Sequence, residues 1–175
     1  TFDQYNFKKI VTQCPHCFTT LKNDYAEMGI ELDVVHHSQF IDELINEKKI
    51  QPKPYIDEDI TFHDPCYLGR HNNEYDAPRN VLQSVLKEGK IKEMEQSKSE
   101  SFCCGAGGGN MWYEIKTGDR INQNRVGQAV DTNAKTIAAA CNFCNIMLED
   151  GVKTTGNEEN IKVIDIAEMV SKSLG

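Results

Sequence analysis

The sequence predicts an α/β domain, a layered and mostly parallel sheet with flanking helices, present as one half copy followed by one full copy. Three observations predict this. Short β-branched runs alternate with amphipathic stretches, the pattern of parallel strands joined by helices. The neighbourhood of Cys14-Pro15-His16-Cys17 recurs around Cys141-Asn142-Phe143-Cys144: Ile10, Cys14, Cys17 and Leu21 match at an offset of 127, and Val34-Val35 match Val163-Ile164 at an offset of 129. Between the copies lies Gln51-Pro52-Lys53-Pro54, whose prolines fit neither a strand nor a helix interior. The expected divisions are residues 1–50 as the C-terminal half of a first repeat, 51–58 as a linker, and 59–175 as the complete second repeat.

In chain order, Lys8 to Gln13 reads as a short strand. Pro15 suits a first helical position, and the helix it opens is expected to stop near Gly29. Leu32 to Val35 is a second strand. Ser38 is expected to cap a helix carrying Phe40, Ile41, Leu44 and Ile45 at helical spacing. After the linker, Ile60 to His63 is a strand that runs into Asp64-Pro65-Cys66. Ala77 to Leu86 is helical, with Val81, Leu82 and Val85 on one face, and Ile91 to Met94 reads as a short strand. A polar helix is expected from about Gly118 to Asp131. The strand Lys135 to Ala140, the second C-x-x-C, the strand Ile161 to Ile164 and a helix through Ala167, Met169 and Val170 close the chain.

Composition narrows the function. The 175 residues carry a net charge of −8, which argues against a nucleic-acid partner. No apolar run approaches the roughly 20 residues of a membrane helix, and the N-terminus has no signal-peptide pattern. Thr1 falls in the run-up to a helix or strand with no initiator Met, so the chain reads as a piece of a longer protein. A membrane would be met only through parts outside it. Seven cysteines, at 14, 17, 66, 103, 104, 141 and 144, are an odd number, unlike a secreted disulfide framework. They read as metal or cluster ligands in a reducing compartment: the cytoplasm, or the cytoplasmic face of a membrane.

Their spacing is specific. Cys66 is separated from Cys103 by 36 residues, and Cys104 from Cys141 by 36. The vicinal pair precedes Gly105-Ala106-Gly107-Gly108-Gly109. Adjacent residues of an extended strand point to opposite faces, so two sulfurs serving one site require the backbone to turn there. Glycine permits that turn, and its N–H groups can face an anion. Cys14, Cys66 and Cys141 each follow a predicted strand, at the sheet edge where α/β proteins bind ligands. The C-x-x-C pairs sit at helix N-termini, where the dipole favours thiolate.

Soft thiolates select zinc, copper(I) or iron–sulfur clusters. Structural zinc takes four ligands, typically from two C-x-x-C hooks. This chain offers one hook, one vicinal pair and one isolated cysteine, which a multi-iron cluster accommodates better. The alternative is a zinc-stabilised structural or docking module of a redox complex. His63 is either placed to donate to a cluster sulfur or relay a proton, or is a satisfied histidine at a strand end. Arg70 and Arg120 are either counter-charges or solvated. His36-His37 read as structural or exposed rather than as ligands, and Trp112-Tyr113 as core or interface aromatics.

His63-Asp64-Pro65-Cys66, Cys103-Cys104-Gly105-Ala106-Gly107-Gly108 and Cys141-Asn142-Phe143-Cys144 resemble the cysteine-rich "CCG" domain. That domain occurs, usually twice, in the B-type and D-type subunits of heterodisulfide reductase. It also occurs in iron–sulfur subunits of glycolate oxidase, lactate-utilisation and anaerobic glycerol-3-phosphate dehydrogenase systems. His63 through Arg70 and Asp76-Ala77-Pro78-Arg79 look most like the Fe–S oxidoreductases linked to electron-transfer flavoprotein. The resemblance implies an iron–sulfur oxidoreductase subunit or domain with a non-cubane [4Fe–4S] cluster on Cys66, Cys103, Cys104, Cys141 and Cys144. Gly105, Gly107, Gly108 and His63 would contact that cluster. Cys14 and Cys17 would be the last two ligands of an incomplete second site. Implied partners are other domains or subunits of a redox complex, with a flavoprotein or ferredoxin-type donor and a quinone or disulfide acceptor. The fragment alone is expected to be inactive.

Overall fold

A computed structural model of the chain describes residues 4–113 and 117–175; Thr1 lies outside them. The first strand, β1 (Ile10–Thr12), leads through Cys14 into α1 (Pro15–Thr19), with Pro15 at the first helical position as its missing N–H allows. A π-helical turn (Thr20–Asp24) and α2 (Tyr25–Glu27) continue the helix, which ends before Gly29 at φ +80°. Strand β2 (Val34–His36) returns parallel to β1, pairing Ile10 with Val34, and α3 (His37–Asn46) follows.

The cap of α3 is His36 rather than Ser38. Its Nδ1 accepts from the Ser38 backbone N–H at 3.3 Å, the Gln39 side chain accepts the His36 N–H at 3.1 Å, and Nε2 donates to the Gln13 carbonyl at 3.1 Å. A neutral imidazole has one acceptor and one donor nitrogen, and here both are used. Burial beside His37 lowers the His36 pKa to about 3. The residue 129 positions on is Asp165, and it caps the corresponding helix.

After the irregular stretch around the prolines, β3 (Ile60–His63) runs into α4 (Cys66–Asn72), and α5 (Asp76–Val85) follows. Ile91 to Met94 does not form a strand. Ile91 makes a single bridge to Ile60, and Glu93 turns out to grip Arg79 instead of extending the ladder. A 3₁₀ turn (Lys98–Glu100), the cysteine pair and a second 3₁₀ stretch (Gly107–Trp112) precede α6 (Ile121–Asp131). The chain ends with β4 (Thr136–Ala139), α7 (Asn142–Thr154), β5 (Lys162–Asp165) and α8 (Ile166–Ser173).

The strands form two parallel sheets, β1–β2 and β3–β4–β5. Strand β4 shows why the second sheet is buried on both faces. Ala138 and Ala140 point into a core with Ile60, Phe62, Leu68 and Leu82, while Ile137 and Ala139 point into another with Val126, Met147 and Leu148. The period of two sends alternate residues to opposite faces, and both are apolar because helices cover both. Phe18 and Val34 belong to the first of these cores, so the opening fifty residues pack as part of the same body.

Candidate metal centre

Parallel pairing sets the site. Strands β3 and β4 are neighbours in register, with His63 opposite Ala139, so the segments after them emerge side by side at one sheet edge. Cys66 is the first residue of α4, Cys141 is the N-cap of α7, and Cys144 lies one turn inside α7. Helix N-terminal N–H groups therefore face these sulfurs.

The vicinal pair arrives on a loop that is tied down from several sides. Buried Ser101 is its anchor: its carbonyl accepts from Arg70 Nη1 at 2.6 Å, and its hydroxyl donates to the Asp64 carbonyl at 3.1 Å. Asp64 also accepts the Lys98 N–H at 2.8 Å and is gripped by Arg79 through two bonds of 2.8 and 2.9 Å. The backbone turns at Gly105, whose φ of +93° suits glycine, and the Gly105 N–H donates to Cys103 Sγ at 3.2 Å.

One cavity is lined by all five cysteines, Cys66, Cys103, Cys104, Cys141 and Cys144, with Gly107 at its wall. Gly108 instead lines a neighbouring apolar cavity of about 300 Å³, together with Met111 and Trp112. Of the N-terminal pair, Cys14 is half-buried and Cys17 exposed, and neither lines the five-cysteine cavity. Their neighbour His16 does, stacked on Tyr67 at 4.0 Å.

Electrostatically the five sulfurs behave as one group. The Cys104 thiol is driven far down because Cys103 and Cys144 donate to its sulfur, as does His63. Cys103 and Cys144, the donors, are pushed up correspondingly. Cys141 is lowered by accepting from Cys144, and Cys66 is raised by burial and by the nearby Cys104. Thiolate charge in such a buried place needs a cation. Soft, convergent, deprotonatable sulfurs fit an iron–sulfur cluster, whose irons would meet that need.

Two side chains that sequence reasoning missed complete the surroundings. Arg125 is fully buried and donates to His63 Nδ1 at 3.0 Å. Its signal was helical spacing: Asn122, Arg125, Val126 and Ala129 share the inward face of α6. Arg79 was read only as part of a local similarity, yet it neutralises buried Asp64 behind Cys66. Of the candidates, Arg70 lies close enough to Cys66 to favour its thiolate, whereas Arg120 pairs with Asp150 at 3.0 Å. Trp112 and Tyr113 are not core residues: they are 79% and 72% exposed, since the chain there leaves the sheet edge on a glycine turn.

The model of the cysteine-rich domain family matches residues 60–149. The chain is 42% identical over 173 residues to the probable iron-sulfur-binding oxidoreductase FadF of Bacillus subtilis, covering 99% of this chain and 24% of that protein. It is 42% identical to the EtfAB:quinone oxidoreductase of Syntrophomonas wolfei, covering 99% of this chain and 25% of the relative. With one subunit of the dihydromethanophenazine:CoB–CoM heterodisulfide reductase of Methanosarcina barkeri the identity is 40%, covering 96% of this chain and 41% of the relative. The chain thus spans about a quarter of the first two relatives (24% and 25%). With its five cysteines gathered at one sheet edge and the family's model matched over more than half its length, the chain belongs to the cysteine-rich domain family.

Proposed function

We propose that the chain is the cluster-holding part of an iron–sulfur oxidoreductase and transfers electrons through a [4Fe–4S] cluster of the non-cubane kind. Cys66, Cys103, Cys104, Cys141 and Cys144 would be its ligands. The observation that carries this reading is that five cysteines dispersed over 79 positions line one buried cavity. When bound, the cluster would supply one-electron uptake and release. The chain's own residues exclude water, present N–H groups at two helix ends, and hold the vicinal pair at the glycine turn.

In this reading residues 1–50 are the second half of one repeat, 51–58 a linker, and 59–175 a complete repeat. The matching caps His36 and Asp165, and the matching strand–cysteine–helix segments at Cys14 and Cys141, support it. The donor would be a flavoprotein or ferredoxin-type protein, and the acceptor a quinone or a disulfide, in keeping with the names of the relatives. The apolar cavity sharing His16, Gly107 and Phe143 with the thiol cavity offers an approach for such a partner. Among the described residues no helix is long and apolar enough to cross a membrane. Work on the cytoplasmic side, reaching a membrane through other segments, fits the cysteine chemistry.

Anaerobic expression followed by iron, sulfide and zinc analysis tests the proposal. Broad visible absorbance with iron and acid-labile sulfide in equal amounts is the expected result. Stoichiometric zinc without colour would overturn it in favour of a zinc-stabilised docking module.

A further inference from the structure

Arg125 is an unusual residue to find at the back of a thiol site. It is fully buried, and its donors are nearly all engaged: Nε to His63 Nδ1 at 3.0 Å, Nη1 to the Gln96 carbonyl at 2.8 Å and Gln128 Oε1 at 2.6 Å, and Nη2 to Ser101 Oγ at 3.2 Å. Among the described residues no carboxylate lies within ion-pair distance of it. An isolated buried cation is costly, and burial lowers its pKa to about 10, which still leaves it charged at neutral pH. The carboxylate that acts on it most strongly, Asp64, is already neutralised by Arg79. Besides Asp64, the negative charge that acts on it comes from Cys104, the thiol driven far down, and from Glu93, which Arg79 already holds.

A guanidinium has five N–H donors and no acceptor. His63 Nδ1 must therefore present a lone pair to Arg125, and the imidazole proton must sit on Nε2. His63, Cys104 and Cys144 have their ligating atoms within 4.8 Å of one another, all buried. The only hydrogen His63 can give to the Cys104 sulfur is the one on Nε2.

We infer that Arg125 is a positioning residue for the cluster site: it locks His63 as the Nε2–H tautomer, which donates to Cys104 sulfur, and it places a permanent positive charge behind that sulfur. The tautomer makes His63 a donor to a ligand and takes it out of the ligand set. It also leaves Nδ1 unable to accept a proton, so His63 is no relay. The positive charge favours the reduced, more negative state of whatever Cys104 holds. This inference rests on the proposed function only for its redox consequence; the tautomer is a property of the protein alone.

The first test uses the metal-free chain with ¹⁵N-labelled histidine. Long-range ¹H–¹⁵N spectra at neutral pH should show His63 neutral with its proton on Nε2, and an Nδ1–H tautomer or an imidazolium would overturn the inference. The second compares midpoint potentials of anaerobically loaded wild type, Arg125→Lys and Arg125→Met by spectroscopically monitored redox titration. Arg125→Met should be measurably more negative than wild type, and Arg125→Lys, which keeps the charge, should stay closer. Equal potentials in all three would overturn it, because a merely structural Arg125 predicts no shift. If Arg125→Met does not fold, the wild-type tautomer and Arg125→Lys still decide. A chain that takes up zinc and no iron overturns the proposed function, and the tautomer then decides this inference by itself.

Discussion

A Cβ placed on Gly151 would lie 2.8 Å from Val126 Cγ2 and 2.9 Å from the Asn122 carbonyl oxygen. Helices α6 and α7 touch there, backbone against helix, and α6 carries Arg125 while α7 carries Cys144. Alanine is the better helix former by about 1 kcal/mol, but overpacking against a stiff valine and a carbonyl costs about 1–3 kcal/mol. Gly151→Ala should therefore lower the unfolding midpoint in urea. Gly127 lies in α6 with nothing within 4 Å of its missing Cβ, so Gly127→Ala should stabilise by about 0.5–1 kcal/mol. Both substitutions stabilising equally would show that the helix contact is looser than described.

Asp64 and Arg79 form the second test. The Asp64 side chain is 2% exposed, and Arg79 meets it with two bonds while also holding Glu93, which is 38% exposed. Removing Arg79 leaves a buried carboxylate with the Lys98 N–H as its remaining partner, at a cost of about 3–5 kcal/mol. Glu93→Gln touches the solvent-facing arm and should cost less than about 1 kcal/mol. Chemical denaturation of Arg79→Met and Glu93→Gln should separate the two by several-fold, and similar losses would contradict the burial argument.

His36 should make stability depend on pH. Its folded pKa is lowered from 6.5 to about 3, so the unfolded chain binds a proton that the folded chain refuses between those values. The stabilisation is complete above pH 6.5 and is lost as pH falls towards 3, with a slope of at most about 1.4 kcal/mol per pH unit. Burial shifts His16 and His63 in the same direction, so the wild-type slope is a sum. Asp165 is lowered below 3.8 and loses its contribution only in stronger acid. Urea unfolding of metal-free protein between about pH 4.5 and 6.5 should give a shallower slope for His36→Gln than for wild type. An unchanged slope would mean that His36 takes up its proton in the folded state.

The cysteines divide into two sets with different expected consequences. Cys104→Ala removes the sulfur at the centre of the network, and the iron content after anaerobic reconstitution should fall to near zero or the cluster spectrum should change. Changing both Cys14 and Cys17 to Ser removes one half-buried and one exposed thiol outside the five-cysteine cavity, so iron should stay near the wild-type amount. A double variant that loses its iron while Cys104→Ala keeps it would move the site to the N-terminal pair.

Much of this was legible in the sequence because it is local. Strand and helix order followed from periodicity, Pro15 marked a helix start, and the offset of 127 between Cys14 and Cys141 marked two strand–cysteine–helix units. The cysteine spacing marked the thiols as a ligand constellation, and the resemblance to the cysteine-rich domain implied which five would be the ligands. What the tertiary structure alone decided is which side chains meet across long stretches of chain. Arg125 finds His63 over 62 positions and Ser101 over 24. Helical spacing places Arg125 on the inward face of α6, but nothing local names its partners, because which distant segments close over that face is settled only by packing. The capping of α3 by His36 and the exposure of Trp112 and Tyr113 belong to the same class. In each, intrinsic preference permits several outcomes, and burial against distant segments selects one.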